Sequence, residues 1–121
     1  MSNDQQKIND DSVQLLTVVV PVYNEEEVLS EFHRRLAKVL DGLTLQSEVI
    51  YVNDGSVDGS LNQMRQIKAE DGRVAMIDLS RNFGKEIAMT AGFDHAHGDA
   101  VVVIDADLRD PPELIPEMIE H

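Results

Sequence analysis

Four short, largely apolar runs alternate with segments in which apolar residues have helical spacing, and this alternation constrains the fold more than any other feature. The runs cover residues 15–22, 48–52, 74–79 and 101–104. Short runs rich in valine and isoleucine are typical of strands buried on both faces, as in a parallel sheet covered by helices. With right-handed crossovers, the alternation predicts a Rossmann-like, doubly wound α/β sheet in strand order 3-2-1-4.

Three helices are expected between the strands. The first should begin where Asn24 can cap it, and the acidic residues 25–27 would complement the dipole at its start. The second should begin at a cap formed by Asp58 and end near Asp71. The third is predicted over about residues 85–96. Each helix would return the chain to the start of the next strand, so that all loops after strands lie at one edge of the sheet.

The loops after the four strands are polar, and they occupy residues 23–25, 53–56, 81–85 and 105–107. In an open parallel sheet such loops converge on one crevice at the carboxyl ends of the strands, where ligands bind. Asp105 and Asp107 would supply hard oxygen ligands of the kind that Mg²⁺ or Mn²⁺ takes. A cation held there keeps open positions for phosphate oxygens, so the pattern predicts metal-assisted handling of a diphosphate.

Composition narrows the classes of partner and compartment. The 121 residues suffice for one domain, predicted over residues 15–121 after a disordered polar tail at 1–14. The net charge is −13, with 23 acidic and 10 basic residues, which argues against a nucleic-acid partner because such partners require clusters of Lys and Arg. The chain has no cysteine, which excludes disulfides and fits a cytoplasmic protein. No apolar run approaches the roughly 20 residues of a membrane helix.

Four motifs surround the predicted crevice. They read VPVYNEE at 20–26, VNDGSVD at 52–58, SRNFGKE at 80–86 and DADLRDPP at 105–112. In order and spacing they resemble the N-terminal half of family-two inverting glycosyltransferases, above all polyprenyl-phosphate sugar transferases such as dolichol-phosphate mannose synthase and bactoprenol glucosyltransferase. The resemblance covers about residues 15–121 and implies the GT-A fold, whose first half binds a nucleotide.

The resemblance also implies which residues contact the nucleotide. Tyr23 would offer a stacking face, Glu25 a hydrogen-bond acceptor, and Asp54 an acceptor for the ring N–H of the base. Lys85 and Arg81 would face the diphosphate. The full set is Pro21, Tyr23, Asn24, Glu25, Asp54, Ser56, Arg81, Gly84, Lys85 and Asp105.

The same resemblance gives Asp105 and Asp107 the catalytic roles. Asp105 would reach the ribose or a metal-bound water, and Asp107 would bind the metal itself. A bound Mg²⁺ or Mn²⁺ would stabilise the departing nucleoside diphosphate while the acceptor attacks the anomeric carbon from the opposite face, so that configuration inverts. The implied donor is a UDP-sugar, or secondly a GDP-sugar, and the implied acceptor is a polyprenyl phosphate. The full-length protein would then work at the cytoplasmic face of a membrane.

Arg109 departs from the family pattern. The dolichol-phosphate mannose synthase type commonly has glutamine two residues after the second aspartate, where its amide oxygen can help to hold the metal. A guanidinium has no lone pair for a cation and stays protonated. Arg109 would therefore either turn away to pair with Asp110 or Glu113, or neutralise part of the phosphate charge.

Several of these residues also have purely structural interpretations. Tyr23 could pack on the edge of the sheet, and Glu25 could only complement a helix dipole. Asp54 could form an Asx turn before Gly55. Lys85 could be a solvated side chain at the start of a helix, although a cation there opposes the helix dipole unless an anion is near.

Other function classes fit the sequence less well. A dinucleotide-dependent oxidoreductase would need G-x-G-x-x-G after the first strand, and residues 21–27 contain no glycine. A phosphatase with an aspartyl nucleophile could use Asp105, although normally on the first strand of its sheet. The main alternative is a non-catalytic nucleotide-sugar-binding module or an inactive fragment. Because the chain stops at His121, one turn into a predicted helix, we expect a truncated domain that binds the donor without transferring sugar and that can self-associate through uncovered apolar surface.

Overall fold

The computed structural model describes residues 14–119. Within that range the chain forms β1 (Leu15–Val22), α1 (Leu29–Asp41), β2 (Gln46–Asp54), α2 (Ser60–Glu70), β3 (Val74–Leu79), α3 (Lys85–His95), β4 (Ala100–Val103), a 3₁₀ helix (Pro112–Leu114) and α4 (Ile115–Ile119). Of the tail predicted at residues 1–14, only Gln14 lies within the described range. None of the helices in residues 14–119 combines the length and apolar character needed to cross a lipid bilayer.

The four strands form one parallel sheet in the order β3-β2-β1-β4, as predicted. In the central strand β1, Val19 aligns with Ile50 of β2 on one side and with Val103 of β4 on the other. The chain moves outward from β1 to β3 and then returns past β1 to β4. A ligand crevice opens at the carboxyl ends of the strands where the strand order reverses in this way.

Helices cover both faces of the sheet because its central strands are apolar on both faces. The larger core cluster joins Val18 of β1 to Phe32 of α1 and Met64 of α2, all fully buried. The smaller cluster lies on the opposite face, where Val19 of β1 packs with Ala88 of α3. This arrangement of helices on both faces of a parallel sheet confirms the predicted doubly wound architecture.

Helix α3 lies close against β1 because Gly92 has no side chain at the contact. A Cβ atom at Gly92 would overlap Cγ1 of Val19. The close packing sets the position of the whole helix, including Lys85 at its start. The first residue of α3 therefore lies at the carboxyl edge of the sheet.

The first helix begins later than predicted, and Asn24 does not cap it. α1 begins at Leu29, after a turn closed by the carbonyl of Glu25. Asn24 instead has a left-handed φ of 54°. Its N–H donates to Ser56 Oγ at 2.9 Å, and its Oδ1 accepts the N–H of Val57 at 2.8 Å. Asn24 thus joins the loop after β1 to the loop after β2.

Other boundaries differ from the predicted ones by one or two residues. β2 spans Gln46–Asp54 because backbone pairing with β1 and β3 continues through the polar residues at its ends. The N-cap of α2 is Gly59 rather than Asp58, whose Oδ1 nevertheless accepts the N–H of Ser60 at 2.9 Å. β4 spans Ala100–Val103, one residue earlier than predicted. These shifts leave the four polar loops at the carboxyl edge of the sheet.

Candidate functional site

A cavity of about 230 Å³ lies at the carboxyl edge of the sheet, beside the point where the strand order reverses. Residues from the ends of β1 and β2 and from the segments after β1, β3 and β4 line it: Pro21, Val22, Tyr23, Glu25, Asp54, Lys85, Asp105, Asp107 and Arg109. Four segments that are far apart in the sequence thus meet at one crevice, as the strand order requires.

The cavity contains six of the ten residues predicted to contact a nucleotide, and it contains both predicted metal ligands, Asp105 and Asp107. The other four lie in the same loops without lining the cavity: Asn24, Ser56, Arg81 and Gly84. The Arg81 guanidinium, expected to face a diphosphate, lies instead over the ring of Phe83, 4.8 Å from its centroid. The ligand contacts of all ten residues stay predictions.

Asp54 is buried and holds the loop between β3 and α3. Its Oδ1 accepts the N–H of Phe83 at 2.8 Å, and its Oδ2 accepts the N–H of Gly84 at 3.2 Å. The Asx turn considered for Asp54 is formed by Asn53 instead. The Asn53 Oδ1 accepts the N–H of Ser56 at 3.1 Å. Because both carboxylate oxygens of Asp54 accept backbone N–H groups of the loop after β3, Asp54 fixes the loop that leads into α3.

Two glycines in these loops have backbone conformations that other residues rarely adopt. Gly55 has φ 74° and Gly84 has φ 101°. A Cβ atom at Gly55 would overlap the backbone of Arg81 and Asn82, so the loops after β2 and β3 touch at this glycine. A Cβ atom at Gly84 would meet no atom within 4 Å, so glycine is needed there for its conformation alone.

Asp105 and Lys85 form an ion pair across the cavity. Lys85 Nζ lies 2.7 Å from Asp105 Oδ2. The side chain of Lys85 is 56% exposed and that of Asp105 is 27% exposed, so the pair is open to solvent and to a ligand. An exposed pair of this kind contributes only about 0.2–1 kcal/mol to stability, so a phosphate can compete for the ammonium group.

Arg109 pairs with Asp107. The Arg109 Nε donates to Asp107 Oδ2 at 2.8 Å, and the backbone N–H of Arg109 donates to Oδ1 at 3.0 Å. Leu108, between them, has a left-handed φ of 67°, which turns the backbone so that Arg109 faces the carboxylate. The pairing of Arg109 with Asp110 or Glu113 suggested by the sequence is therefore wrong.

Hydrogen bonding determines the ionisation of Asp107. Burial would raise the pKa of Asp107, but the hydrogen bonds from the N–H and guanidinium of Arg109 outweigh burial and hold the pKa below its ordinary value. Asp107 is consequently ionised at neutral pH. It offers a negative charge that Arg109 already offsets.

The cavity nevertheless holds more negative than positive charge. Four carboxylates face two cations among the lining residues: Glu25, Asp54, Asp105 and Asp107 against Lys85 and Arg109. Burial, followed by the charges of Asp107 and Asp105, raises the pKa of Glu25 above its ordinary value of 4.5. A bound cation would relieve this repulsion.

The replacement Glu25→Gln is expected to stabilise the protein at pH 7. The folded state binds the Glu25 proton more tightly than the unfolded state, so the ionised carboxylate destabilises the fold at pH 7, and this cost disappears as the pH falls below 4.5. Because Glu25 is partly solvated, the gain should be less than about 1 kcal/mol. Urea unfolding at pH 7 and pH 4 measures it, with Glu27→Gln, an exposed neighbour outside the cavity, as the control. An equal gain in the free energy of unfolding at both pH values would contradict a raised pKa of Glu25.

The donor set of the cavity fits a hard divalent cation that arrives with a phosphate. Within residues 14–119, no group of three or more His, Cys, Asp or Glu side chains is placed to hold a metal by itself. Asp105 and Asp107 supply carboxylate oxygens in a site with excess negative charge. Mg²⁺ commonly binds one or two carboxylates and takes its remaining ligands from substrate phosphates and water. The chain therefore supplies part of a coordination sphere, and a diphosphate could complete it.

A larger cavity of about 520 Å³ lies beside α1, on another part of the surface. Its lining residues are Arg35, Lys38, Val39, Gly42, Leu43, Glu113 and Pro116. The single carboxylate among them, Glu113, is already paired with Arg35. This cavity lacks the converging polar groups that distinguish the crevice at the sheet edge.

Two asparagines that the motifs alone do not single out help to position the loops. Asn53 Nδ2 donates to Asp78 Oδ1 at 2.9 Å, joining the end of β2 to β3. Asn82 Nδ2 donates to the carbonyl of Asp54 at 3.2 Å. Both residues lie inside the motifs at 52–58 and 80–86, and their place directly at or after a strand end is the signal that identifies them.

The sequence is similar to those of known proteins. Residues 17–121 match the family described as Glycosyl transferase family 2. The chain is 57% identical over 104 residues to an uncharacterized glycosyltransferase, YkcC, of Bacillus subtilis strain 168, covering 86% of this chain and 32% of that protein. It is 43% identical over 110 residues to the undecaprenyl-phosphate 4-deoxy-4-formamido-L-arabinose transferase of Edwardsiella ictaluri, covering 90% of this chain and 34% of that protein. The chain thus spans about a third of the length of these curated relatives.

A solved structure shares the fold. The mannosyltransferase PcManGT from Pyrobaculum calidifontis, in complex with GDP-Man and Mn²⁺, is 28% identical with a TM-score of 0.70, covering 78% of this chain and 28% of that one. The likeness confirms the predicted GT-A architecture. With the match over residues 17–121 and the motifs assembled at one crevice, the chain belongs to glycosyl transferase family 2.

Proposed function

We propose that this chain forms the donor-binding part of an inverting glycosyltransferase that uses a nucleoside-diphosphate sugar. The observation that carries the proposal is the crevice at the strand reversal, where Asp105, Asp107 and Lys85 converge in a chain of this family. Carboxylates and an ammonium group at one edge of a parallel sheet suit a diphosphate that is accompanied by a cation. The neighbouring mannosyltransferase structure, which contains GDP-Man and Mn²⁺, supports this assignment.

Asp107, together with Asp105, would hold the divalent cation, Mg²⁺ or Mn²⁺. When bound, such a cation supplies a Lewis acid that offsets the charge of the leaving nucleoside diphosphate. Lys85, at the start of α3, would donate to the phosphates after release from Asp105, its present partner at 2.7 Å. The N-terminal end of α3 lies next to the same position, and helix N-termini favour anions.

The nucleoside would lie between the loops after β1 and β2. Tyr23 is 47% exposed at the cavity, which leaves its ring free to stack on a base. Glu25 and Asp54 would accept hydrogen bonds from the ribose and the base. We propose a UDP-sugar as the first choice of donor and a GDP-sugar as the second.

The proposed acceptor is a polyprenyl phosphate. A relative that is 43% identical is named for transfer to undecaprenyl phosphate, which supports this choice. A phosphate acceptor is already anionic, so the reaction demands no strong general base from the chain. Attack on the anomeric carbon from the face opposite the diphosphate would invert its configuration. With a lipid acceptor, the full-length protein would work at the cytoplasmic face of a membrane.

Nucleotide binding tests the proposal. At 100 times its dissociation constant, a ligand stabilises a protein by roughly 2.7 kcal/mol. For a domain of this size we therefore expect UDP or GDP with Mn²⁺ to raise the melting temperature by about 10 °C or more. UMP, which lacks the second phosphate, is the matched control and should give a smaller rise. Unchanged melting with UDP, GDP and their sugars at millimolar concentration, with Mn²⁺ present, would refute the proposal.

A second candidate is a nucleotide-sugar-binding module without transferase activity. The pairing of Asp107 with Arg109 favours it, because the carboxylate meant for a metal is already occupied. Both candidates predict nucleotide binding by this chain, and they differ in transfer by the full-length protein. Radiolabelled sugar entering the lipid phase when the full-length protein is mixed with a radiolabelled nucleotide sugar and a polyprenyl phosphate would exclude the non-catalytic candidate.

A further inference from the structure

The Asp107 carboxylate accepts hydrogen bonds from both the side chain and the backbone of Arg109. Two guanidinium nitrogens of Arg109, Nε and Nη2, lie 2.8 and 2.7 Å from Oδ2, and the backbone N–H of Arg109 donates to Oδ1 at 3.0 Å. A divalent cation that binds the same oxygens is repelled by the guanidinium, because the two positive charges would lie within a few ångströms of each other. Arg109 therefore competes with a metal for Asp107.

The two partners differ in how free they are to move. The Asp107 side chain is 17% exposed, whereas that of Arg109 is 85% exposed. The hydrogen bonds of the guanidinium in the described part of the chain all go to Asp107. Ion pairs with an exposed partner are held weakly. Because Arg109 also lines the cavity, its guanidinium can reach a ligand there without a change in the backbone.

We propose that Arg109 is an internal counter-cation that occupies Asp107 in place of a divalent metal and transfers to the diphosphate when a nucleotide binds, so that nucleotide and metal bind cooperatively. This inference rests on the proposed binding of a nucleoside diphosphate. A guanidinium forms paired hydrogen bonds with phosphate oxygens as well as with carboxylates. The diphosphate thus removes the group that blocks Asp107, and it supplies oxygens that complete the coordination of the metal.

The first test uses Mn²⁺ alone, with free Mn²⁺ followed by electron paramagnetic resonance. Arg109→Gln should bind Mn²⁺ about fivefold more tightly than the wild-type chain, because a weak, exposed ion pair that competes for Asp107 is lost. Arg34→Gln is the matched control, because it makes the same change in charge in an exposed pair with Glu31 on α1. Arg34→Gln should leave Mn²⁺ binding unchanged. Equal or weaker Mn²⁺ binding by Arg109→Gln would overturn the proposal.

The second test uses UDP and GDP, titrated in EDTA and in saturating Mn²⁺. In EDTA, Arg109→Gln should weaken binding of the tighter nucleotide by about fivefold. The factor by which Mn²⁺ improves nucleotide binding should be smaller in Arg109→Gln than in the wild type and in Arg34→Gln. An unchanged affinity in EDTA would overturn the transfer of Arg109 to the diphosphate. If neither nucleotide binds the wild-type chain under either condition, the proposed function fails, and with it the transfer step. The competition at Asp107 is then still decided by the titration with Mn²⁺ alone.

Discussion

Replacing Gly55 with alanine is expected to lower the free energy of unfolding by about 3–4 kcal/mol. Gly55 has φ 74°, a conformation that costs a residue with a side chain roughly 1 kcal/mol or more. The added Cβ atom would also overlap backbone atoms of Arg81 and Asn82, and the backbone of a packed loop cannot rotate away as a flexible side chain can. The loop after β3 would have to move, and the hydrogen bonds that Asp54 accepts from it would weaken.

Alanine substitutions at two other glycines separate the cost of the positive φ from the cost of the steric overlap. Gly84→Ala introduces an unfavourable φ of 101° without any overlap, and it should cost about 1–2 kcal/mol. Gly72→Ala introduces neither, since no atom lies within 4 Å of the added Cβ and its φ is not positive, so it should be neutral or slightly stabilising. Urea unfolding of the three variants measures the series. A cost at Gly55 no larger than that at Gly84 would show that the two loops are not in contact there.

The sheet could be predicted from the sequence because its signals are local. The run of β-branched residues at 15–22 is long enough to identify β1 with the bounds found in the structure, Leu15–Val22. Alternation of such runs with helical spacing then restricts the strand order to very few arrangements. For the same reason Asp105 and Asp107 could be placed in a crevice beside the loop after β1, since any residue directly after a parallel strand lies at the carboxyl edge.

The hydrogen bonds between loops could not be predicted in this way. Asn24 has the residue type of a helix cap and precedes a helical pattern, yet it contacts Ser56 and Val57, which are more than 30 positions away in the sequence. An asparagine side chain bonds equally well to its own backbone or to a neighbouring loop, so residue type alone cannot decide between them. Only the folded sheet brings the second loop within reach.

The pairing of Arg109 with Asp107 could not be predicted from the sequence for a different reason. The residues are two positions apart, so their closeness is local, but it depends on the left-handed φ of Leu108. Leucine rarely adopts this conformation, and no residue preference indicates it. The backbone conformation of Leu108 thus determines which of the nearby carboxylates pairs with the Arg109 guanidinium.

The sequence pattern also does not predict a partly buried polar network that joins α1 to β2 and to the segment after α2. The Tyr51 hydroxyl lies 2.7 Å from His33 Nδ1, and His33 Nε2 lies 3.0 Å from Asp71 Oδ2. Burial lowers the pKa of His33 and outweighs the opposing hydrogen bond to Asp71. Helical spacing predicts which face of α1 is apolar, but it does not show that a histidine at the edge of that face meets partners from β2 and the segment after α2.

The dependence of nucleotide binding on Asp107 tests the account most directly. Calorimetric titrations would compare the wild-type chain with Asp107→Asn, using whichever of UDP and GDP binds more tightly, in Mn²⁺ and in EDTA. Asp110→Asn is the matched control, because Asp110 lies three residues after Asp107, is exposed and does not line the cavity.

We expect Mn²⁺ to improve nucleotide affinity at least tenfold, about 1.4 kcal/mol, in the wild-type chain and in Asp110→Asn. In Asp107→Asn the improvement should fall below about twofold, while binding in EDTA is retained or tightened, because the neutral amide releases Arg109 to the diphosphate. If Mn²⁺ improves binding by the same factor in Asp107→Asn as in Asp110→Asn, then Asp107 does not hold the metal and the assigned site is contradicted.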